Sequence, residues 1–198
     1  MKKFVKPLVI AICAVLLVAG SVAGTLAYLT ATSEVTNTFT VGNITIALDE
    51  AQVDEYGAEV TLAARVTDNS YKLVPGRMYK KDPTIHVTEG SEACYLFVRI
   101  ENNISGVVTG SVAAQLTANG WTLLADADNV YYYHEVVDAS GADKDVAVFE
   151  SFTVKADATN EQIAACNGQT IVVTAYAVQS HGFNNAADAW SAGAFENP

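Results

Sequence analysis

Apolar residues in this chain recur at every second position over short stretches, the period of half-buried β-strands. Val35, Phe39 and Val41 share one parity, and Ile44, Ile46 and Leu48 share the other. The phase flips at Gly42-Asn43, which predicts a bulge or bend and a kinked first strand. An acidic turn region follows over Asp49–Gly57, and Glu59–Val66 reads as a further strand. Tyr71–Pro83 is a connection with Pro75-Gly76 at its centre, carrying Lys72, Arg77, Lys80 and Lys81. Thr84–Val87 and Cys94–Glu101 read as two strands with Glu89–Glu92 as the turn between them. On the second, Cys94, Leu96, Val98 and Ile100 alternate with Tyr95, Phe97, Arg99 and Glu101, the pattern of a half-buried strand.

Farther on, Ile104–Leu116 is ambiguous because Gly106 and Gly110 weaken a helix there. Trp121–Leu124 and the aromatic run Asn129–Val137 read as strands, and Val146, Val148, Phe152 and Val154 alternate across Asp145–Lys155. Gln169–Gln179 is apolar on both faces, as a central strand is. Thr159–Cys166 fits a short helix with Thr159 or Asn160 as N-cap, and Ala186–Trp190 fits another capped by Asn184 or Asn185. About eight short strands with regular turn signals predict an all-β chain, a single β-sandwich domain of jelly-roll or immunoglobulin-like type with one or two short helices. No internal repeat, low-complexity tract or long linker divides it.

The N-terminus follows a different pattern. Lys2, Lys3 and Lys6 precede an uncharged run, Leu8–Gly24, and small residues close it at Ala27. A basic start, an apolar middle and a small-residue exit describe an export signal. The expected cleavage lies between Ala27 and Tyr28, giving a signal peptide over 1–27 and a domain over 28–198. The alternative is a retained anchor, so contact with a membrane is expected only through the uncleaved signal. Cys13 lacks the context of a lipidation site, and neither a second apolar run nor a wall-sorting motif follows. The product is expected to be secreted, at the cell surface or in an extracellular matrix.

Charge narrows the partners. The whole chain carries 11 Lys and Arg against 22 Asp and Glu. Loss of residues 1–27 removes three lysines and no acid, taking the net charge from −11 to −14. Such a field repels nucleic acid. After processing two cysteines remain, Cys94 and Cys166. An exported protein allows a disulfide between them, and two separate buried thiols are the alternative.

Catalytic motifs are weak. His134-Glu135-Val136-Val137-Asp138 begins like a zinc-binding H-E-x-x-H but ends in Asp. Its setting is strand-like, whereas the motif needs a helix to align its ligands. His86 and His181 stand in no ligand spacing, and no G-x-S-x-G nucleophile turn appears. Cys94 lies within a strand, where nothing lowers a thiol pKa. Calcium has weak candidates in Asp126 and Asp128, and in Asp143 and Asp145 beside Asp138; neither loop matches an EF-hand, and solvated acidic loops are the plain alternative. No phosphate-binding glycine loop is present, and no cofactor is expected. Tyr131, Tyr132 and Tyr133 place rings on both faces of a strand.

Several segments resemble a known family. The signal ending in GTLA and the following YLTATSEVTNTFTVGNITIALDE are similar to the start of TasA/camelysin proteins, exported by Gram-positive bacteria and processed by a SipW-type signal peptidase. LVPGRMYKKDPTIHVTEGSEACYLFVRIEN resembles that family's Pro-Gly turn and the two strands after it, and VTAYAVQSHGFNNAADAW is similar to the ends of related exported chains. The likeness covers about half of the chain and leaves Ile104–Thr159 unmatched. It implies a jelly-roll-like sandwich and assembly into biofilm matrix fibres, in which the freed N-terminal segment completes the next subunit's sheet.

Residues and resemblance meet in Tyr28–Val41, a β-prone, Pro-free, weakly charged segment set free by cleavage. Such a segment can add to a sheet edge through main-chain hydrogen bonds, with Val35, Phe39 and Val41 filling pockets. The alternative is a frayed tail followed by an ordinary first strand. The leading expectation is a non-enzymatic matrix subunit whose partners are its own copies or related subunits. A camelysin-type surface metallopeptidase and a monomeric adhesion module using the tyrosines are the rivals.

Overall fold

The computed structural model describes residues 12–17, 43–109, 112–125 and 127–193. The chain divides into two units, 1–41 and 42–198, at the place where the hydrophobic phase flips. In the first, residues 12–17 form helix α1. No helix among the described residues is long and apolar enough to cross a membrane.

The second unit is all-β and sandwich-like. Its strands are β1 (Ile46–Asp49), β2 (Met78–Lys80), β3 (Thr84–Val87), β4 (Cys94–Asn102), β5 (Val108–Thr109), β6 (Trp121–Leu123), β7 (Val130–Tyr133), β8 (Lys144–Ala147), β9 (Ser151–Val154) and β10 (Ile171–Gln179). Helices α2 (Val112–Ala118), α3 (Asn160–Ala165) and α4 (Ala186–Ala192) accompany them, so the described residues of this unit hold three short helices rather than one or two. The strands form three antiparallel sheets, ordered β1-β3-β8, β10-β4-β7-β6 and β2-β9-β5.

The first two sheets share the main core. Ile85 and Val87 of β3 and Val146 of β8 meet Cys94, Leu96, Val98 and Ile100 of β4, joined by Leu116 of α2 and by Trp121. Each fully buried side chain of this size contributes roughly 1.5–3 kcal/mol. The outer face of the four-stranded sheet has its own core. There α4 lays Ala186 and Ala189 over Phe97, Leu124 and Val130, and the Trp190 ring sits 5.1 Å from that of Phe97 and 5.3 Å from that of Tyr176. Strand β4 is therefore buried on both faces from Leu96 to Ile100, beyond the half-burial its alternation predicts. The third sheet closes a smaller core, in which the Tyr79 and Phe152 rings stack at 5.1 Å and Tyr71 meets each of them edge-on.

Local chemistry explains both capped helices. Thr159 accepts from the Gln162 backbone N–H while the Gln162 side chain accepts from the Thr159 N–H, a reciprocal box that starts α3. Asn185 accepts from the Asp188 N–H at the start of α4.

Other expectations change. Glu59–Val66 is no strand: bridges at Val53↔Glu59 and Glu50↔Val66 flank a turn closed by the Ala63 N–H on the Val60 carbonyl, 3.2 Å. The turn at Glu89–Glu92 joins no hairpin, because β3 and β4 belong to different sheets. The single alternation over Asp145–Lys155 is cut at Val148–Glu150 into β8 and β9, again in different sheets. In the first case alternation misreads burial, since Val60 and Leu62 are exposed; in the other two it reads burial correctly and is blind to partner. Among the described residues strand β10 takes an edge rather than a central place.

Candidate functional site

Several sequence candidates lie outside the described residues: Ala27 and Tyr28 of the cleavage site, the segment residues Val35, Phe39 and Val41, and the calcium candidate Asp126. The remaining acidic candidates are engaged one by one or open to solvent. Asp143 accepts from the Glu89 N–H at 2.6 Å, Asp145 pairs with His86, and Asp128 is exposed. Among the described residues no group of three or more His, Cys, Asp or Glu is placed to hold a metal ion.

Cys94 and Cys166 are both free thiols, the unbridged one of the two arrangements the sequence allows. Cys94 is fully buried in the main core and Cys166 packs against the smaller one. The register explains why: Cys94 pairs with Gln179 at one end of the β4–β10 ladder, and Ile171, five residues after Cys166, pairs with Asn102 at the other. Eight residues of strand span about 26 Å, far beyond the ~4.4–6.8 Å between Cα atoms that a disulfide allows. Burial pushes the Cys94 thiol up to about 11.

His134 lies in a bend after β7, not on a helix. Its Nδ1 sits 3.1 Å from the Gly120 carbonyl oxygen, and its ring lies 4.8 Å from that of Tyr133. The three tyrosines split as a strand dictates: Tyr131 and Tyr133 pack on the main core, and Tyr132 on the core under α4. The fold uses all three rings as packing.

The sequence gives no direct signal for the densest polar constellation, which ties β1 to the rest of the sandwich. Asp49, at the end of β1, forms an ion pair with Arg65, whose guanidinium also donates to the Asp82 carbonyl at 3.0 Å and to Thr84 Oγ1 at 2.9 Å. On the same sheet face, His86 Nε2 lies 2.9 Å from Asp49 and Nδ1 lies 2.7 Å from Asp145. Partial burial alone would lower the His86 pKa, but the hydrogen bonds and charges of Asp49 and Asp145 outweigh it and raise it above its ordinary value. Beneath the lattice Lys81 meets the buried Glu50 at 2.7 Å. Charge pairing across 16 to 59 residues of sequence has no local period, so pattern reading passes over it.

Two clefts open in the body. One of about 390 Å³ lies between α2 and the sheet, lined by Ile100, Val108, Val112, Leu116 and Tyr131 with Asn102 and Asn129 among its polar groups. The other, about 990 Å³ and polar, is bordered by Arg99, Glu101, Asp128, Asn129 and Trp190.

The feature with the clearest binding chemistry is the edge strand β10. The Asn103 N–H donates to the Thr170 carbonyl at 3.0 Å, and the Ser180 N–H to the Ala93 carbonyl at 2.8 Å. These pairs continue the β4–β10 register. Hydrogen-bonded pairs alternate along an antiparallel ladder, so the even-numbered residues of β10 bond β4. Val173, Ala175 and Ala177 turn their N–H and C=O groups away from β4. Their side chains lie against the main core but are only partly buried, as are Ile46 and Leu48 of β1. A row of outward amides beside a partly buried flank of core is what an added strand needs.

In comparisons with known proteins the chain matches no family model, no curated protein and no solved structure.

Proposed function

We propose that this chain is an exported structural subunit of an extracellular matrix, assembling by exchange of its N-terminal strand. The observation that carries the reading is the division at Val41/Gly42. The described strands of the sandwich begin at Ile46, and residues 28–41, whose sequence carries a strand pattern, precede that unit along the chain. An export signal ending at Ala27 supplies the trigger, since its removal gives the segment a free end. Head-to-tail donation of a strand is heterologous and builds open filaments rather than closed rings.

The test is negative-stain electron microscopy of residues 28–198 after concentration at mildly acidic pH, where the self-repulsion of a chain at −14 is reduced. Filaments are expected from 28–198. Residues 42–198 should give a folded monomer by circular dichroism and sedimentation. Filaments that persist without 28–41 overturn the mechanism.

A further inference from the structure

The strand-exchange reading leaves open where the donated segment lands. We propose that it lands on the outer edge of β10, so that residues 28–41 of a second copy extend the β10-β4-β7-β6 sheet by one strand. This inference rests on that reading.

The edges of the three sheets differ sharply. Natural proteins protect edge strands by making them short or by placing charge, proline or bulges on them. Strands β6 and β2 have three residues and β5 has two. Strands β1 and β8 have four, with Asp49 on one and Lys144 and Asp145 on the other. Strand β10 has nine, IVVTAYAVQ, with no charge, proline or glycine. Among the described residues it alone is a long, unprotected edge. Both of its faces pack on cores, Val173, Ala175 and Ala177 on the main one and Tyr176 and Val178 on the one under α4, which leaves its edge as the open side among the described residues.

Geometry and length agree. The outward amides of Val173, Ala175 and Ala177 supply alternate donors and acceptors. Fourteen extended residues reach about 46 Å and β10 spans about 26 Å, so the segment covers the edge with residues to spare for the crossing between copies. Val35, Phe39 and Val41 share one face of the donor and suit the partly covered core flank beside Val173 and Ala175. Thr36, Thr38 and Thr40 share the other face.

The decisive variants are Ala175→Pro and Val173→Pro. Each removes an N–H that points away from β4, so neither costs a bond of the β4–β10 ladder, and proline is accepted on an edge in that orientation. Leu123→Pro is the control on the opposite edge of the same sheet. There the bonds Leu124 N–H to Val130 O and His134 N–H to Gly120 O leave the Leu123 N–H facing outward.

A fluorescent peptide of residues 28–41 is titrated into the 42–198 body. It is expected to bind the unmodified and Leu123→Pro bodies equally and the Ala175→Pro and Val173→Pro bodies at least tenfold more weakly. Amide hydrogen exchange on the unmodified body gives a readout free of folding artefacts: peptide should slow Val173, Ala175 and Ala177. Unchanged binding to both β10 variants, or no new protection at those amides, overturns the β10 assignment. If filaments of 28–198 still require residues 28–41 in that case, strand exchange stands and only its landing site is wrong. If 28–198 stays monomeric with those three amides already protected by its own segment, the second copy is overturned as the occupant.

Discussion

His86 and Asp145 face each other across neighbouring strands, with the ring Nδ1 2.7 Å from a carboxylate oxygen. The second ring nitrogen reaches Asp49 on the other neighbour at 2.9 Å, so one imidazole ties all three strands of its sheet. Both ring nitrogens can donate only in the protonated form. The folded-state pKa of His86 is raised above 6.5. Its contribution is therefore fully present below about pH 6.5 and is lost as pH rises through the raised folded-state value.

The corresponding prediction is a stability gap between the parent chain and His86→Gln that depends on pH. The gap should be roughly 0.5–1 kcal/mol at about pH 5, modest because the groups are partly solvated. It should close by about pH 9 as the ring becomes neutral. Urea unfolding at both pH values measures it, and a gap that is constant or widens with pH contradicts the charge role.

Much of the sandwich is legible in the sequence, and what is not follows a physical rule. Alternation marks Ile85, Val87, Leu96, Val98, Val146, Phe152 and Val154 as buried, and all of them are. It cannot say which strand lies beside which, because the period of two is the same whatever the partner. Hence the turn at Glu89–Glu92 reads as a hairpin though it passes between sheets, and β10 reads as central though it is an edge. The second reading is right about the faces, which both pack on cores, and blind only to the edge, where nine residues without charge or proline single β10 out. The lattice around Asp49 is invisible for another reason: Arg65, Asp82 and His86 gain meaning only once the fold brings them together.

The two cysteines should behave differently toward a thiol reagent. In 28–198, Cys166 is partly open and Cys94 is fully buried with its thiol pKa pushed up to about 11. Ellman's reagent at neutral pH is expected to find one reactive thiol in the folded chain and two after unfolding, without any reductant. No thiol in the unfolded chain without reductant and two with it, or a mass two units below that of the reduced chain, would show a bridge and contradict the separation imposed by the β4–β10 ladder.

Leu62 stands at the third position of the turn Val60–Ala63 with φ +62, and its side chain is wholly exposed. That backbone region favours Gly or Asn and penalises a leucine by about 1–2 kcal/mol. With no packing to lose, Leu62→Asn should stabilise the fold by roughly 0.5–1 kcal/mol, a typical gain for relieving an incompatible residue. Urea unfolding of the variant checks this, and a destabilised variant contradicts the strain argument.

Glu50 and Lys81 form the pair most costly to break. Glu50 is 3% exposed, accepts from Lys81 Nζ at 2.7 Å, and uses its other oxygen to accept from Asn69 at 2.9 Å. Asn69 in turn holds the Val53 N–H and the Ala51 carbonyl, so the pair anchors the long arm between β1 and β2 to the sandwich. Lys81→Met leaves a buried carboxylate without its cation and should cost about 3–5 kcal/mol. Adding Glu50→Gln removes the stranded charge and keeps a partner for Asn69, so the double variant should recover roughly 1–3 kcal/mol relative to the sum of the two single losses. A four-member urea cycle measures this. If Lys81→Met costs less than about 1 kcal/mol, the pair behaves as a solvated surface bridge and the arm must be held by Arg65 and Asn69 instead.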